Sequence, residues 1–385
     1  MNSKEIVAAA MRRERPARIP VMCQLANGHT IINTKVHPIE YFTDDELWAD
    51  CLCQMRELYS FDGILCHKPG RVHGLMDLVE RTDFDAETPT LYLHDGSRIE
   101  CTRDDDAYYK AADDFVRPAF DDIDPAEPLA WAPESFLAFQ ASKATLPIET
   151  PEEIPEHVFG MIDKVIERVG KEYSVHGEVR SPFDHFLNIT GMEEGLIAIL
   201  DDPEKCLNVL EVCTKWSIAL AVAQVRRGAD AIKVSSPFAG SAFLSPDMYE
   251  EFILPFESRL ASAVIAEGAP IYTHTCGAIG DRLELMCRAG VSGIECLDPP
   301  PLGDVEIGEA VQLLKGKIFI KGNVDPVNTL LRGSMEDVKR DVGNVLDASQ
   351  EMEGFILSSA CSVAPPAPPD NLKLMVELCH EHSGA

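Results

Sequence analysis

Three residues raise the question of chemistry first. His274 and Cys276 stand two apart in "PIYTHTCG", and Cys361 ends "GFILSSAC". Residues two apart in an extended strand project from the same face, so the imidazole and the first thiol point the same way. An imidazole and two thiolates suit zinc and leave one position free. A His-x-Cys pair is a weak signal by itself, because buried cysteine also serves as a small hydrophobe. Cys361 at the end of a second strand strengthens it. Glu295, in "GIECLD", is the candidate for the fourth position. A carboxylate binds zinc less firmly than a thiolate and could leave when a substrate thiol arrives. The competing role is to orient His274 from behind. Cys296 is expected to face the other way, into the core. Cys51 and Cys53 fall on a helix, where a spacing of two does not share a face.

Further polar residues stand at strand ends. "HGEVRSPFDHF" supplies Arg180 and His185. Arg180 could grip a carboxylate or sulfonate, or pair with one of the many acids. His185 could donate a proton to a leaving alkoxide, or be a satisfied structural histidine. Asn323 and Asp325 sit in "GNVDP", where a loop cap is the competing role. His29 and His67 follow the first two strands and could face the same mouth. His67, with Cys66 beside it, is an alternative ligand.

These residues need a scaffold that gathers strand ends. Short apolar runs recur at 19–26, 62–67, 173–179, 230–235, 270–276, 293–298, 318–324 and 354–361. Such continuous Val/Ile/Leu-type runs predict parallel strands covered on both faces. Helical patterns lie between them. One spans 202–230, opening on Asp-Pro-Glu, and one spans 245–268, opening on Ser-Pro and ending at Gly268. The repeat predicts a (β/α)8 barrel, whose active site gathers at the C-terminal strand ends. Residues 81–155 interrupt it. "TLYLHDGSRIECTRD" has two alternating runs around Asp95-Gly96, a hairpin signal. The expectation is one barrel domain over 1–385 with 81–155 as an inserted cap.

The 385 residues carry 34 Lys and Arg against 64 Asp and Glu, a formal charge of −30. Nucleic acid and anionic membrane surfaces are therefore poor partners. The opening "MNSKEIVAAAMRRERP" has no sustained apolar core, and no run of about twenty apolar residues follows. The expectation is a cytoplasmic chain that keeps its 12 cysteines as thiols or metal ligands.

At these residues the chain resembles the uroporphyrinogen decarboxylase superfamily. The resemblance runs through "HTCG", "KGNVDP" and "GFILSSACSVAPPAPPDNLKLMVE", with "MRRERPARIPV" and "LSPDMYEEFILPF". It is closer to the zinc methyltransferase branch, which includes corrinoid:coenzyme M methyltransferases. That resemblance implies zinc on His274, Cys276 and Cys361, with Glu295 near an exchangeable glutamate. It implies methyl transfer between a corrinoid and a small molecule, either a thiol acceptor or a methylated donor such as an aryl methyl ether. No "DxHxxG" cobalamin motif is present, so the corrinoid is expected on a partner protein. Decarboxylases of the superfamily carry an arginine-rich segment after the first strand. This chain has "CQLANGHT" there, and "LCHKPGRV" where they need an aspartate. Two rival readings remain: a metal-free decarboxylase and a non-catalytic barrel with a closed structural zinc.

Overall fold

A computed structural model describes residues 1–68, 70 and 74–384. Its strands, in chain order, are β1 (Gly63–Cys66), β2 (Val79–Asp83), β3 (Thr90–Leu93), β4 (Arg98–Cys101), β5 (Ala107–Lys110), β6 (Ser174–Arg180), β7 (Ala231–Ser235), β8 (Ile271–Thr275), β9 (Gly293–Cys296), β10 (Phe319–Val324) and β11 (Phe355–Ser359). Seven of them form one parallel sheet in the order β1-β6-β7-β8-β9-β10-β11.

The segment 20–25 closes this sheet into a barrel. Val21 bridges Leu357 and Leu25 bridges Val363, both parallel, and the Asp62 amide donates to the Val21 carbonyl. The expected first strand is thus a stave held by two bridges, not a continuous ladder. The reason lies partly in the segment and partly in Asp62. Pro20 has no amide hydrogen, and the Val21 amide donates to the Asp62 carboxylate at 2.8 Å instead of to a neighbouring strand.

The barrel interior is graded. At the N-terminal end Met22, Leu65, Ala231, Tyr272, Phe319 and Ile356 pack with the helix Ser3–Met11, an apolar plug. One step along each strand the inward positions become ionic, with Glu178, Lys233, Glu295 and Lys321 all buried or nearly so. The chemistry therefore lies above an apolar floor, toward the C-terminal strand ends.

Of the two helical expectations, one changes and one holds. The pattern over 245–268 is two helices, Pro246–Phe252 and Leu254–Ala266, broken at Ile253. Pro255 lacks the amide hydrogen and crowds the preceding turn. Asp202 caps the helix Pro203–Arg226 by accepting from the Lys205 amide. Among the described residues this helix alone is long and apolar enough to cross a membrane, and 72% of its apolar window is buried inside the molecule.

Between β1 and β6 the chain builds a four-stranded antiparallel sheet, β2-β3-β4-β5. The hairpin at Asp95-Gly96 is there, with Gly96 at φ +84° and Asp95 accepting from the Ser97 amide. The sheet ends beside Asp106, which reaches the barrel mouth: its carboxylate lies 2.5 Å from Lys143 Nζ and 3.5 Å from Lys68 Nζ.

A candidate metal centre and its cavity

His274 is the last inward residue of β8, Cys276 follows the strand, and Cys361 lies two residues beyond β11. Ring closure brings them together. His274 Nε2 is 3.4 Å from Cys276 Sγ and 3.7 Å from Cys361 Sγ, and the two sulfurs are 3.6 Å apart. Zinc bonds of about 2.3 Å to sulfur and about 2.0–2.1 Å to nitrogen require, in a tetrahedron, about 3.8 Å between sulfurs and about 3.5 Å between sulfur and nitrogen. The three atoms have the identity and spacing that such an ion needs.

A fourth donor stands with them. Cys296 Sγ joins His274, Cys276 and Cys361 in a group whose ligand atoms all lie within 4.8 Å of one another. The strand alternation that sends Cys296 into the core fails here. Cys296 has φ +88° and Leu297 φ +55°, so the backbone leaves the β region and swings the thiol inward. Asn323 braces this turn, its amide donating to the Leu297 carbonyl at 2.9 Å.

Of the two roles open to Glu295, its position matches the one behind His274 and not the fourth ligand. Its Oε2 is 3.0 Å from His274 Nδ1, on the ring edge away from the sulfurs, and it forms an ion pair with Lys321, its register partner on β10. Lys233 Nζ is 3.9 Å away. Burial opposes the charge of Glu295, but the Lys321 and Lys233 ammoniums outweigh it and hold the carboxyl well below the usual range. Drawn toward the lysines, the carboxylate fixes the ring so that Nε2 faces the sulfurs. Hydrogen bonding from Cys276 and Cys296 in turn pulls the Cys361 thiol well below its ordinary value.

A cavity of about 490 Å³ lies alongside. Ser362, next after Cys361, and Ser235, paired in register with His274, both line it. Its charged lining includes Lys68, Asp106, Lys143, Arg180 and Asp184, and Phe238 is its aromatic contributor. Burial pushes Lys68 down to about 7 despite Asp106 nearby. Asp106 is itself held low, because Lys68 and Lys143 outweigh its own burial.

The other expected residues divide. Arg180 lines the cavity, where its Nε donates to the Lys143 carbonyl at 3.0 Å and its Nη1 is 3.3 Å from Asp184. His185 does not line it: the ring is buried, 3.3 Å from Thr145 Oγ1 and edge-on to Trp216, and burial pushes it down to about 3. A ring held neutral there has no ready proton to give. His29 is fully engaged, with Tyr59 at 2.7 Å and the Ala364 and Pro365 carbonyls at 3.1 Å. Asn323 is likewise buried and turned toward backbone rather than the cavity. Asp325 is a loop cap, accepting from the Val327 and Asn328 amides. His67 lines the cavity but bonds Glu178 and the Leu25 carbonyl, and Cys66 is buried in the wall. Cys51 and Cys53 remain apart on the helix Asp45–Tyr59.

Sequence reasoning missed Cys296, Lys233 and Lys321. The lysines had a signal: each sits inside an apolar strand, "AIKVS" and "FIKGNV", where a buried ammonium requires a carboxylate partner.

Comparison with known proteins follows the same lines. The uroporphyrinogen decarboxylase (URO-D) family matches residues 137–382, well over half the chain. A methylcobamide:CoM methyltransferase MtbA of Methanosarcina acetivorans is 30% identical over 211 residues, 55% of this chain and 59% of that protein. A uroporphyrinogen decarboxylase of Geobacter sp. strain M21 is 31% identical over 184 residues, 47% of this chain and 50% of that one. The matches thus span between half and three-fifths of the length of these relatives. A solved structure described as a methyltransferase from Methanosarcina mazei superposes with a TM-score of 0.73 over 99% of both chains at 18% identity, which shows a shared fold. The chain, a (β/α)8-type barrel, belongs to the uroporphyrinogen decarboxylase family.

Proposed function

We propose that this protein is a zinc-dependent methyltransferase that moves a methyl group between a corrinoid, carried by a partner protein, and a small molecule. The single observation that carries the proposal is the triangle of His274 Nε2, Cys276 Sγ and Cys361 Sγ, with sides of 3.4–3.7 Å, beside a cavity large enough for a small substrate. The relatives named as methylcobamide:CoM methyltransferases support the corrinoid half of the reading.

His274, Cys276 and Cys361 hold the ion. Zinc supplies a lowered pKa for a bound thiol, or Lewis acidity toward a methyl ether, thioether or amine. Glu295 fixes the His274 ring from the Nδ1 side, and Lys321 and Lys233 keep Glu295 charged. Arg180, Lys68 and Lys143 offer cationic groups to an anionic part of the substrate. The thiol acceptor and the methoxylated or methylated donor are two directions of one exchange, and O-demethylation is the second.

Zinc-loaded protein is mixed with methylcobalamin and a panel of thiols, and the corrinoid spectrum is followed. Loss of the methylcobalamin band with formation of a methyl thioether is expected, and Cys276→Ala abolishes both zinc and transfer. No transfer to any thiol, and none from methoxylated aromatics or methylamines to reduced corrinoid, would sink the proposal. Relatives named as uroporphyrinogen decarboxylases are similar at like identity. The decarboxylase reading predicts instead an unchanged activity when Cys276 is replaced.

A further inference from the structure

The three-residue zinc reading leaves one sulfur without a task. Cys296 is fully buried, yet its thiol stands among the other three donors and not in the hydrophobic core. Two consecutive left-handed residues, Cys296 and Leu297, are what put it there, and Asn323 holds the second of them by its carbonyl. Asp298 stands on its other side: Cys296 Sγ is 3.3 Å from Asp298 Oδ2. Asp298 is anchored in turn by the amide of Gly277, the residue after Cys276, at 2.8 Å. Its second oxygen is buried and has no hydrogen-bond partner among the described residues. One thiol therefore has two stations, toward the His274–Cys276–Cys361 triangle and toward the Asp298 carboxylate.

We infer that Cys296 is the fourth, displaceable zinc ligand, occupying at rest the position that a substrate sulfur takes over. This rests on the zinc reading and deepens it. At rest the donor set is three sulfurs and one nitrogen, the composition of a closed structural site, but one member has somewhere to go. When a thiol R–SH enters, its S–H bond breaks and its sulfur takes the place of Cys296. The proton goes to the Cys296 sulfur, which turns its new S–H toward Asp298 Oδ2. One thiolate replaces another, so the charge is unchanged and no oxidant or reductant is needed. The resting site is thereby shut to adventitious ligands and opened by a competing sulfur.

X-ray absorption at the zinc edge counts the sulfurs directly, without an activity assay. Zinc-loaded wild type is expected to show three sulfurs and one nitrogen. Cys296→Ala and the nearly isosteric Cys296→Ser are expected to keep about one zinc per chain but show two sulfurs. With excess 2-hydroxyethaneselenol, whose selenium is distinguished from sulfur, the wild type is expected to trade one zinc–sulfur contact for a zinc–selenium contact, whereas the variants gain the selenium and keep both sulfurs. A wild type with two sulfurs, unchanged by either Cys296 substitution, overturns the inference and leaves the zinc reading standing. So does a wild type that keeps all three sulfurs and gains no selenium. A wild type that binds no zinc overturns both, and the two failures are thus told apart.

Discussion

Lys321 offers a quantitative test of how the centre is built. Its ammonium is fully buried and ion-paired with Glu295, which holds His274. Removing one partner of a buried pair costs about 3–5 kcal/mol, because the other charge is left without compensation in a poorly solvated site. Lys233 lies 3.9 Å from Glu295 and partly replaces the lost ammonium, so Lys321→Met should fall at the low end, about 3 kcal/mol. Unfolding entropy of about 2.1 cal/mol/K per residue over 385 residues converts this into a Tm loss of about 4 °C. Glu295→Gln should lose a similar amount, since it leaves Lys321 and Lys233 buried together. The double variant Lys321→Met/Glu295→Gln removes both charges and should recover most of the loss, to within about 1 °C of wild type. Differential scanning calorimetry of the four metal-free proteins measures all of this. If Lys321→Met melts within 1 °C of wild type, or the double variant loses the sum of the singles, the pair is not what holds Glu295, and the argument fails.

Three further outcomes follow from the geometry. Glu295→Gln weakens the orientation of His274 and should lower zinc affinity about 10–100-fold in competition with a chromophoric chelator. Glu257 is buried, neither carboxylate oxygen has a well-formed hydrogen bond among the described residues, and burial raises it to about 7. The folded state thus holds this proton where the unfolded chain releases it, so stability falls as pH rises from about 4.5 toward 7; Glu257→Gln should remove a loss of about 3 kcal/mol between pH 4.5 and 8, read from paired pH–Tm curves. Arg180→Met takes a cation from the cavity and should raise KM about 10–100-fold for a carboxylate- or sulfonate-bearing substrate, from the ~1.5–3 kcal/mol of a hydrogen bond to a charged group, with little change for a neutral one.

Much of the barrel was legible because its signals are local. Continuous apolar runs marked seven strands of the parallel sheet, and Asp95-Gly96 marked a turn. The break at Ile253 was also legible, since Pro255 stands in "FILPF", but helical periodicity on both sides concealed it. The stave at 20–25 was harder. Nothing in its own residues says that the Val21 amide will bond a side chain from residue 62.

In the centre itself, alternation along one strand sufficed to put His274 and Cys276 together, because period two is a property of extended backbone wherever it occurs. The same rule misplaced Cys296, and although it put Glu295 inward, as found, it could not say on which side of the imidazole the carboxylate would lie. Two left-handed residues turned Cys296 inward, and a lysine 26 positions away drew Glu295 to the far side of the imidazole. The amino-acid sequence by itself determined which residues could be ligands and, wherever the backbone stays extended, which face of its own strand each would take. Only the tertiary structure decided which strand ends meet and which charges must be paired inside the ring, because closure of the barrel fixes distances between residues that no local periodicity relates.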